Sequence, residues 1–237
     1  MTRIANAGSD LLGAVSPGEI VTISGSFLGP DTALGLQLTS TGSLITQLGD
    51  TIVSFDGIQA PLIQVSSQQI TAIAPYEIDG RASVNLVVKN KEKSSPPINL
   101  AVVAAAPGIF LSKAIGTAFL TIFNSDLSVN GPNHGAAKGS SIILFATGEG
   151  LLNPLPQTGS IATPNGGGFA KPVNAVSATI DGQTAQVQYA AQGPGLISGI
   201  MQVELTIPAG SSSGQVALVL TIGTASTVLQ MVTVTVL

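Results

Sequence analysis

The sequence predicts an all-β protein made of two tandem β-sandwich domains. Helical periodicity is nearly absent, and short runs rich in Val, Ile and Thr alternate with polar residues. The 28 Gly and 14 Pro interrupt these runs at short intervals. Such patterns are typical of half-buried strands joined by tight turns. The 237 residues are enough for one large domain or two modest ones.

The candidate strands follow one another along the whole chain. The run "EIVTISGSF" (19–27) alternates up to its glycine. In "TIVSFDGIQAPLIQV" (51–65), two apolar runs flank Asp56-Gly57, a dipeptide that favours the primed turns of hairpins. The segments "ASVNLVVKNKEKSSPPINLAVV" (82–103) and "VALVLTIGTASTVLQMVTVTVL" (216–237) each have the pattern of a strand, a turn and a second strand.

An internal repeat divides the chain into two parts. Five elements recur in the same order, about 121 to 134 residues apart. The matched segments are 16–30 with 137–154, 53–65 with 178–190, 69–75 with 202–208, and 80–88 with 214–222, and each copy then closes on an alternating strand. The repeat predicts an N-terminal half, residues 1–106, and a C-terminal half, residues 107–237. Each half has the strand spacing of an immunoglobulin-like sandwich.

Two resemblances support this division. The N-terminal half, with "SPGEIVTISGSFLGP" and "ITAIAPYEIDGRASVNLVV", resembles the immunoglobulin-like IPT/TIG domains. The C-terminal half, with "APGIF", "LFATGEG", "VQYA" and "QVELTIP", is similar to the uncharacterised C-terminal domain family of Solibacter-type acidobacterial secreted proteins. These resemblances imply an extracellular β-sandwich, often at the end of a larger protein, and they imply no catalytic residues.

Composition excludes several classes of function. Only 8% of the residues are charged, the net charge is −4, and the basic residues are dispersed, so nucleic acid is not an expected partner. The absence of cysteine excludes disulfides, thiol catalysis and Cys-ligated zinc. No apolar run is long enough to insert into a membrane. The start "MTRIANAGSD" lacks the apolar core of a signal peptide, and we interpret the chain as a mature fragment from the extracellular space or the cell surface.

The segment Gly148-Glu149-Gly150 raises the question of a nucleotide-binding loop. A dinucleotide loop needs a third glycine and a helix that begins behind it. Here the third glycine is absent, and two prolines follow in "LLNPLPQTG" (151–159), which disfavours a helix. The first copy has "SGSFLGP" in the same place. The pattern therefore predicts a structural turn, with Glu149 as a weak candidate for a surface ligand.

The segment Asp126–Asn130 matches the first half of a calcium-binding loop. Its twelfth position would be Ala137, where calcium needs a bidentate glutamate, and its flanks have the pattern of strands. A hairpin turn is the simpler interpretation, and a weak calcium site is the alternative. His134, the single histidine, lies in a glycine-rich loop and has no cysteine with which to bind zinc.

Three further residues are weak candidates for a binding loop. Tyr76 and Glu77 lie in "APYEIDG", which we interpret as a solvated turn. Phe169 lies in "TPNGGGFAKP", within a segment of about 25 residues, 151–175, that has little regular pattern, and long loops are often functional or mobile. We expect Phe169 to be exposed at the tip of this loop. The other Phe residues are interpreted mostly as core.

We therefore predict a non-catalytic module for adhesion, spacing or protein interaction within a larger protein. The prediction includes no enzyme activity, no cofactor and no metal. One alternative is a carbohydrate-binding module that accompanies a catalytic domain, although the chain has no Trp and only two Tyr for a sugar platform. Another is self-assembly through exposed strand edges such as "VLQMVTVTVL" (228–237).

Overall fold

The computed structural model describes residues 1–237 and is all-β, apart from two 3₁₀ turns at Tyr76–Ile78 and Val228–Gln230. The predicted fold class is confirmed. The strands of the N-terminal half are β1 Arg3–Asn6, β2 Ile20–Ser24, β3 Gln47–Leu48, β4 Thr51–Phe55, β5 Ile58–Gln59, β6 Leu62–Val65, β7 Gln69–Ile73, β8 Ser83–Asn90, β9 Lys93–Ser94 and β10 Ile98–Ala101. Those of the C-terminal half are β11 Gly108–Ile109, β12 Lys113–Ile115, β13 Ala118–Leu120, β14 Phe123–Asn124, β15 Ser141–Thr147, β16 Leu152–Asn153, β17 Lys171–Pro172, β18 Val176–Ile180, β19 Gln183–Gln192, β20 Met201–Thr206, β21 Gly214–Ile222, β22 Ala225–Ser226 and β23 Thr233–Val236.

The N-terminal strands form two packed sheets. One sheet has the order β1-β2-β7-β6, and the other has the order β10-β8-β4-β3, with β5 and β9 at its ends. Alternate residues of each sheet point inward, as the pattern of buried and half-buried residues along β4 shows. Seventeen buried residues, most of them in the strands of the two sheets, make one core, in which Phe55 is the largest side chain.

The C-terminal strands share a sheet of nine strands. Its main order is β11-β15-β20-β19-β18-β21-β22, and β14 and β23 pair at its sides. The long strand β19 pairs with β18 at Gln183–Ala185 and with β20 from Gln186 onward, with a bulge between Val187 and Tyr189. The chain thus passes from one layer to the other along β19, and 21 buried residues fill the space between. Two two-stranded sheets lie outside this sheet: the hairpin β12-β13, and β16-β17, whose strands are joined by a long loop.

Matched segments of the two halves make matching strand pairs. β2 pairs antiparallel with β7, and β15 pairs antiparallel with β20. Likewise β4 pairs with β8, and β18 pairs with β21. The turns after β4 and β18 have positive φ at both central residues, 47° and 83° at Asp56-Gly57 and 54° and 71° at Asp181-Gly182. The primed turn predicted at Asp56-Gly57 is therefore confirmed, and the matched dipeptide Asp181-Gly182 forms the same kind of turn.

Candidate functional site

Tyr76 and Glu149 lie in contact in the interior, although 73 residues separate them in sequence. The Tyr76 hydroxyl donates a hydrogen bond of 3.3 Å to Glu149 Oε1. The exposed fraction is 2% for Tyr76 and 1% for Glu149. Tyr76 begins the 3₁₀ turn after β7, and Glu149 follows the end of β15. The sequence predicted Glu149 as a surface ligand and Tyr76 as part of a solvated turn. Both predictions are wrong for these two side chains, because both are buried.

Glu19 is a second buried carboxyl in the same region. It directly precedes β2 and is 2% exposed. Its Oε2 accepts hydrogen bonds from Ser16 N at 2.8 Å and from Ser16 Oγ at 3.4 Å. A cavity of about 10 Å³ beside it is close to the smallest space that holds one water molecule. We call Tyr76, Glu149 and Glu19 the junction cluster. The sequence pattern did not indicate Glu19, because a single acid at the start of an alternating run is usually solvated.

Burial determines the electrostatics of the junction cluster. It raises the pKa of Glu19 and of Glu149 to about 8, against an ordinary value of 4.5. Hydrogen bonds from Ser16 and Asn6 lower the pKa of Glu19 in part, and the charge of Glu149 raises it further. Burial, together with Glu149, also raises the pKa of Tyr76 well above 10.0. No positively charged side chain contributes to the pKa of either carboxyl, so both groups are mostly protonated at neutral pH.

One oxygen of Glu149 has no partner. Oε1 accepts from Tyr76, whereas Oε2 is buried without a hydrogen bond. A buried polar atom without a partner is destabilising, and far more so if the group is charged. The protonated form of Glu149 is therefore strongly favoured in the folded protein.

Glycines allow the backbone to approach closely around the junction cluster. A Cβ on Gly148 would lie 1.9 Å from the carbonyl oxygen of Ala106, and one on Gly150 would lie 2.0 Å from that of Ala104. Both glycines also have positive φ, 79° and 75°. The Ala106 N–H donates to the Gly148 carbonyl at 2.9 Å. Only glycine fits such positions. β16 rather than a helix follows Gly150, which agrees with the argument against a nucleotide-binding loop, whereas the segment itself is irregular buried backbone and not a turn.

An apolar cluster extends the junction between the two halves. Ile20 at the start of β2 and Phe110 after β11 are both fully buried in it. Its ten buried members are Ala7, Ile20, Leu44, Ile63, Ile73, Phe110, Ile115, Leu120, Ile197 and Ile200. The Ile20 N–H also donates to Thr147 Oγ1 at 2.8 Å, which joins β2 to the end of β15. The two halves therefore share a buried surface of apolar side chains and specific hydrogen bonds.

The long segment 151–175 packs against the junction cluster. Thr158 Oγ1 accepts a hydrogen bond from the Tyr76 N–H at 3.1 Å and donates to Glu77 Oε2 at 3.4 Å. Ala170 is buried with Tyr76 and Leu152. Glu77 itself is exposed, whereas Phe169 is half-buried. The expectation that Phe169 is exposed at a loop tip is wrong, because its neighbour Ala170 packs into the interior.

The segment Asp126–Asn130 is a turn held by its own side chains. Asp126 Oδ1 accepts hydrogen bonds from Ser128 N at 3.0 Å and from Ser128 Oγ at 2.6 Å, and these bonds lower the pKa of Asp126. Asn130 bonds to the backbone of Thr235 in both directions, at 2.9 Å and 2.8 Å. The polar groups that suggested a calcium loop are thus bonded within the protein. His134 is exposed nearby, and Asn124 Nδ2 donates to its carbonyl oxygen at 2.9 Å.

The geometry of the junction cluster favours a structural role. Its three side chains are at most 2% exposed, so a substrate would have no direct access to them. The chain has no group of three or more His, Cys, Asp or Glu side chains that could hold a metal ion. None of its helical segments has the length and apolar character needed to cross a membrane.

Comparison with known proteins identifies one family over part of the chain. Residues 12–102 match the model of the IPT/TIG domain. This match agrees with the resemblance of the N-terminal half, whereas the resemblance of the C-terminal half to the Solibacter-type family stays a prediction. A comparison with curated proteins gives no match.

Among solved structures, the chain is similar to the extracellular region of plexin A4. The sequence identity is 12% and the TM-score is 0.30, over 95% of this chain and 17% of the plexin chain. The chain thus spans about a sixth of the length of that structure.

Proposed function

We propose that the chain is a non-catalytic module of a larger extracellular or cell-surface protein, and that it serves adhesion, spacing or protein interaction. In this proposal two immunoglobulin-like domains, residues 1–106 and 107–237, form one rigid unit. The observation that carries it is the buried junction, in which a Tyr76–Glu149 hydrogen bond and a shared apolar cluster connect the halves. Rigid tandem domains can present a binding surface at a fixed distance and angle.

The division into two related domains has support from the sheets. No sheet contains strands from both halves, and each half has a buried core largely of its own. The matched strand pairs and the matched Asp-Gly turns support a common origin for the halves. The backbone hydrogen bonds of these turns also correspond, because the Asp56 N–H donates to the Asn85 carbonyl at 2.9 Å and the Asp181 N–H donates to the Ala217 carbonyl at 2.8 Å.

The non-catalytic role has support from the placement of the ionisable groups. The acids with raised pKa are enclosed in the junction cluster rather than in a cleft, whereas catalytic acids must reach a substrate. The charge-poor composition and the IPT/TIG match over 12–102 support an extracellular interaction module.

Self-association through the C-terminal strand has less support. The free side of β23 is partly occupied within the chain. The Ala136 N–H donates to the Thr235 carbonyl, and the Leu237 N–H donates to the Ala136 carbonyl, both at 2.9 Å. An edge that is already bonded offers few groups to a neighbour. A protein partner or a polysaccharide is therefore favoured over filament formation.

Spin-label distances across the junction test the proposed rigidity. Because the chain has no cysteine, Glu92→Cys with Ser213→Cys places one label on each half at exposed positions. We expect a single narrow distance distribution, as narrow as that of a control pair, Lys171→Cys with Ser213→Cys, within the C-terminal half. A broad or multimodal distribution across the halves, beside a narrow control, would contradict the proposal.

A further inference from the structure

Phe27 is exposed in a conformation that disfavours its side chain. Its exposed fraction is 87%, the largest of any large apolar residue in the chain. Its φ is 59°, in the left-handed region, where bulky residues are strained and glycine is the usual choice. An exposed ring gains almost no burial energy to offset this strain. Residues that combine strain with exposure are often held so for function.

The backbone around Phe27 is firmly held. The Phe27 carbonyl accepts a hydrogen bond from Asn90 Nδ2 at 3.0 Å. The next residue, Leu28, is buried in the core, and its carbonyl accepts from Thr51 Oγ1 at 3.3 Å. A Cβ on Gly29 would lie 2.4 Å from a methyl carbon of Val65, so the chain passes close to the core there. The ring therefore projects from a loop whose backbone is already held in place. A ligand that binds the ring would immobilise few additional backbone torsions, so the entropic cost of binding is small.

An open groove of about 980 Å³ lies beside this ring. Most of its lining residues are polar or charged, among them Asp31, Asp50, Asn90, Lys91, Glu92 and Lys93, although apolar atoms contribute more than half of the lining surface. A volume near 1,000 Å³ is in the upper range of ligand sites. None of the junction cluster lines this groove, so any ligand there would leave the contact between the halves unchanged.

The groove's chemistry fits an uncharged polar ligand. Three carboxylates and two lysine ammonium groups line it, together with Met1, so neither sign of charge dominates. Amide, hydroxyl and charged groups can bond the hydroxyls of a sugar, while an aromatic face stacks on the C–H face of its ring. A peptide strand would find little backbone to pair with, because β9 has only two residues and Pro96 and Pro97 follow closely.

We propose that this groove binds a neutral oligosaccharide, with the Phe27 ring as the stacking platform for one sugar unit. The site differs from the proposed spacer function and does not depend on it. The interpretation of the Phe residues as mostly core is wrong: of the seven, only Phe55 and Phe110 are buried, whereas Phe27 and Phe119 are exposed and the other three are half-buried.

Affinity electrophoresis in gels that contain neutral polysaccharides tests the proposal. The probes are soluble β-glucan, xylan, mannan and starch, and a neutral glycan array extends the panel. We expect retardation by at least one probe, and Phe27→Gly should weaken that binding roughly tenfold or more. Phe119→Ala, which removes another exposed phenyl group in β13, is the matched control and should leave binding unchanged.

Thermal unfolding of the same variants separates binding from folding. Because glycine relieves the left-handed strain, Phe27→Gly should keep or raise the Tm while it weakens binding. The proposal is overturned if no neutral glycan binds, if binding survives Phe27→Gly, or if Phe27→Gly lowers the Tm in parallel with binding. Capture of a protein through Phe27 in the absence of glycan binding would also overturn it.

Discussion

The free energy of unfolding is expected to fall as the pH rises from about 4.5 to about 8, and Glu149→Gln is expected to reduce that fall by about half. In the unfolded chain each glutamate ionises near its ordinary pKa of 4.5, whereas Glu19 and Glu149 keep their protons up to about pH 8 when folded. Between these values the folded state binds more protons, so stability decreases with pH. The stabilisation is complete below pH 4.5 and is lost by about pH 8.

The expected fall in the free energy of unfolding is large because both carboxyl groups are fully buried. Each pKa unit corresponds to about 1.4 kcal/mol, so each carboxyl contributes on the order of 4–5 kcal/mol over the whole range. Urea denaturation at intervals between about pH 5 and about pH 8 measures this slope. The glutamine of Glu149→Gln is neutral at every pH. The free energy of unfolding of this variant should therefore match that of the original protein near pH 5 and exceed it near pH 8.

An exposed glutamate provides the control for this experiment. Glu92→Gln removes a carboxyl from the tip of the hairpin formed by β8 and β9 and should leave the pH slope unchanged. If the slopes of Glu149→Gln and of the original protein are parallel, Glu149 is not the buried protonated group described here.

Gly148→Ala is expected to destabilise the protein by about 3–5 kcal/mol, mostly through a steric clash with the backbone of Ala106. The new Cβ would lie 1.9 Å from a carbonyl oxygen, which cannot move without displacing the start of the C-terminal half. The added left-handed strain accounts for only about 1 kcal/mol. Thermal and urea denaturation measure the loss.

Gly139→Ala isolates the steric part of this effect. Gly139 has nearly the same φ, 81° against 79° for Gly148, but its Cβ would meet open space. The control should therefore lose only about 1 kcal/mol. Equal losses for the two variants would show that Gly148 is an ordinary turn glycine and that the close approach at the junction does not matter.

The local features of the fold could be predicted from the sequence because short patterns encode them. Alternation along "TIVSF" places Val53 and Phe55 on the inner face, and the Asp-Gly dipeptides fix both primed turns. The lack of a helix after Gly148-Glu149-Gly150 was also predictable, since the missing third glycine and the following prolines argued against a phosphate loop.

The junction cluster could not be predicted, because it depends on contacts between distant segments. The residues next to Glu149 in the sequence do not indicate that Tyr76 is its partner. A lone glutamate is almost always solvated. The burial of Thr147 to Gly150 is seen only in the structure, so no sequence signal places this acid in the interior.

Phe27 was missed for the opposite reason. A phenylalanine near the end of an apolar strand usually lies in the core. Phe27 is exposed because its φ is left-handed, which the sequence "SGSFLGP" does not reveal. Leu28 takes the buried position instead. A shift of one residue in a turn is enough to move a ring from the core to the surface.

Direct titration of the Glu149 carboxyl tests the central claim, that Gly148-Glu149-Gly150 is an interior junction between the two halves. Selective ¹³C labelling of the glutamate carboxyl carbons allows NMR to follow each group, and the spectrum of Glu149→Gln assigns the signal. Burial against Tyr76 predicts a midpoint at about pH 8. A midpoint near the ordinary value of 4.5 would place Glu149 in solvent and contradict the account.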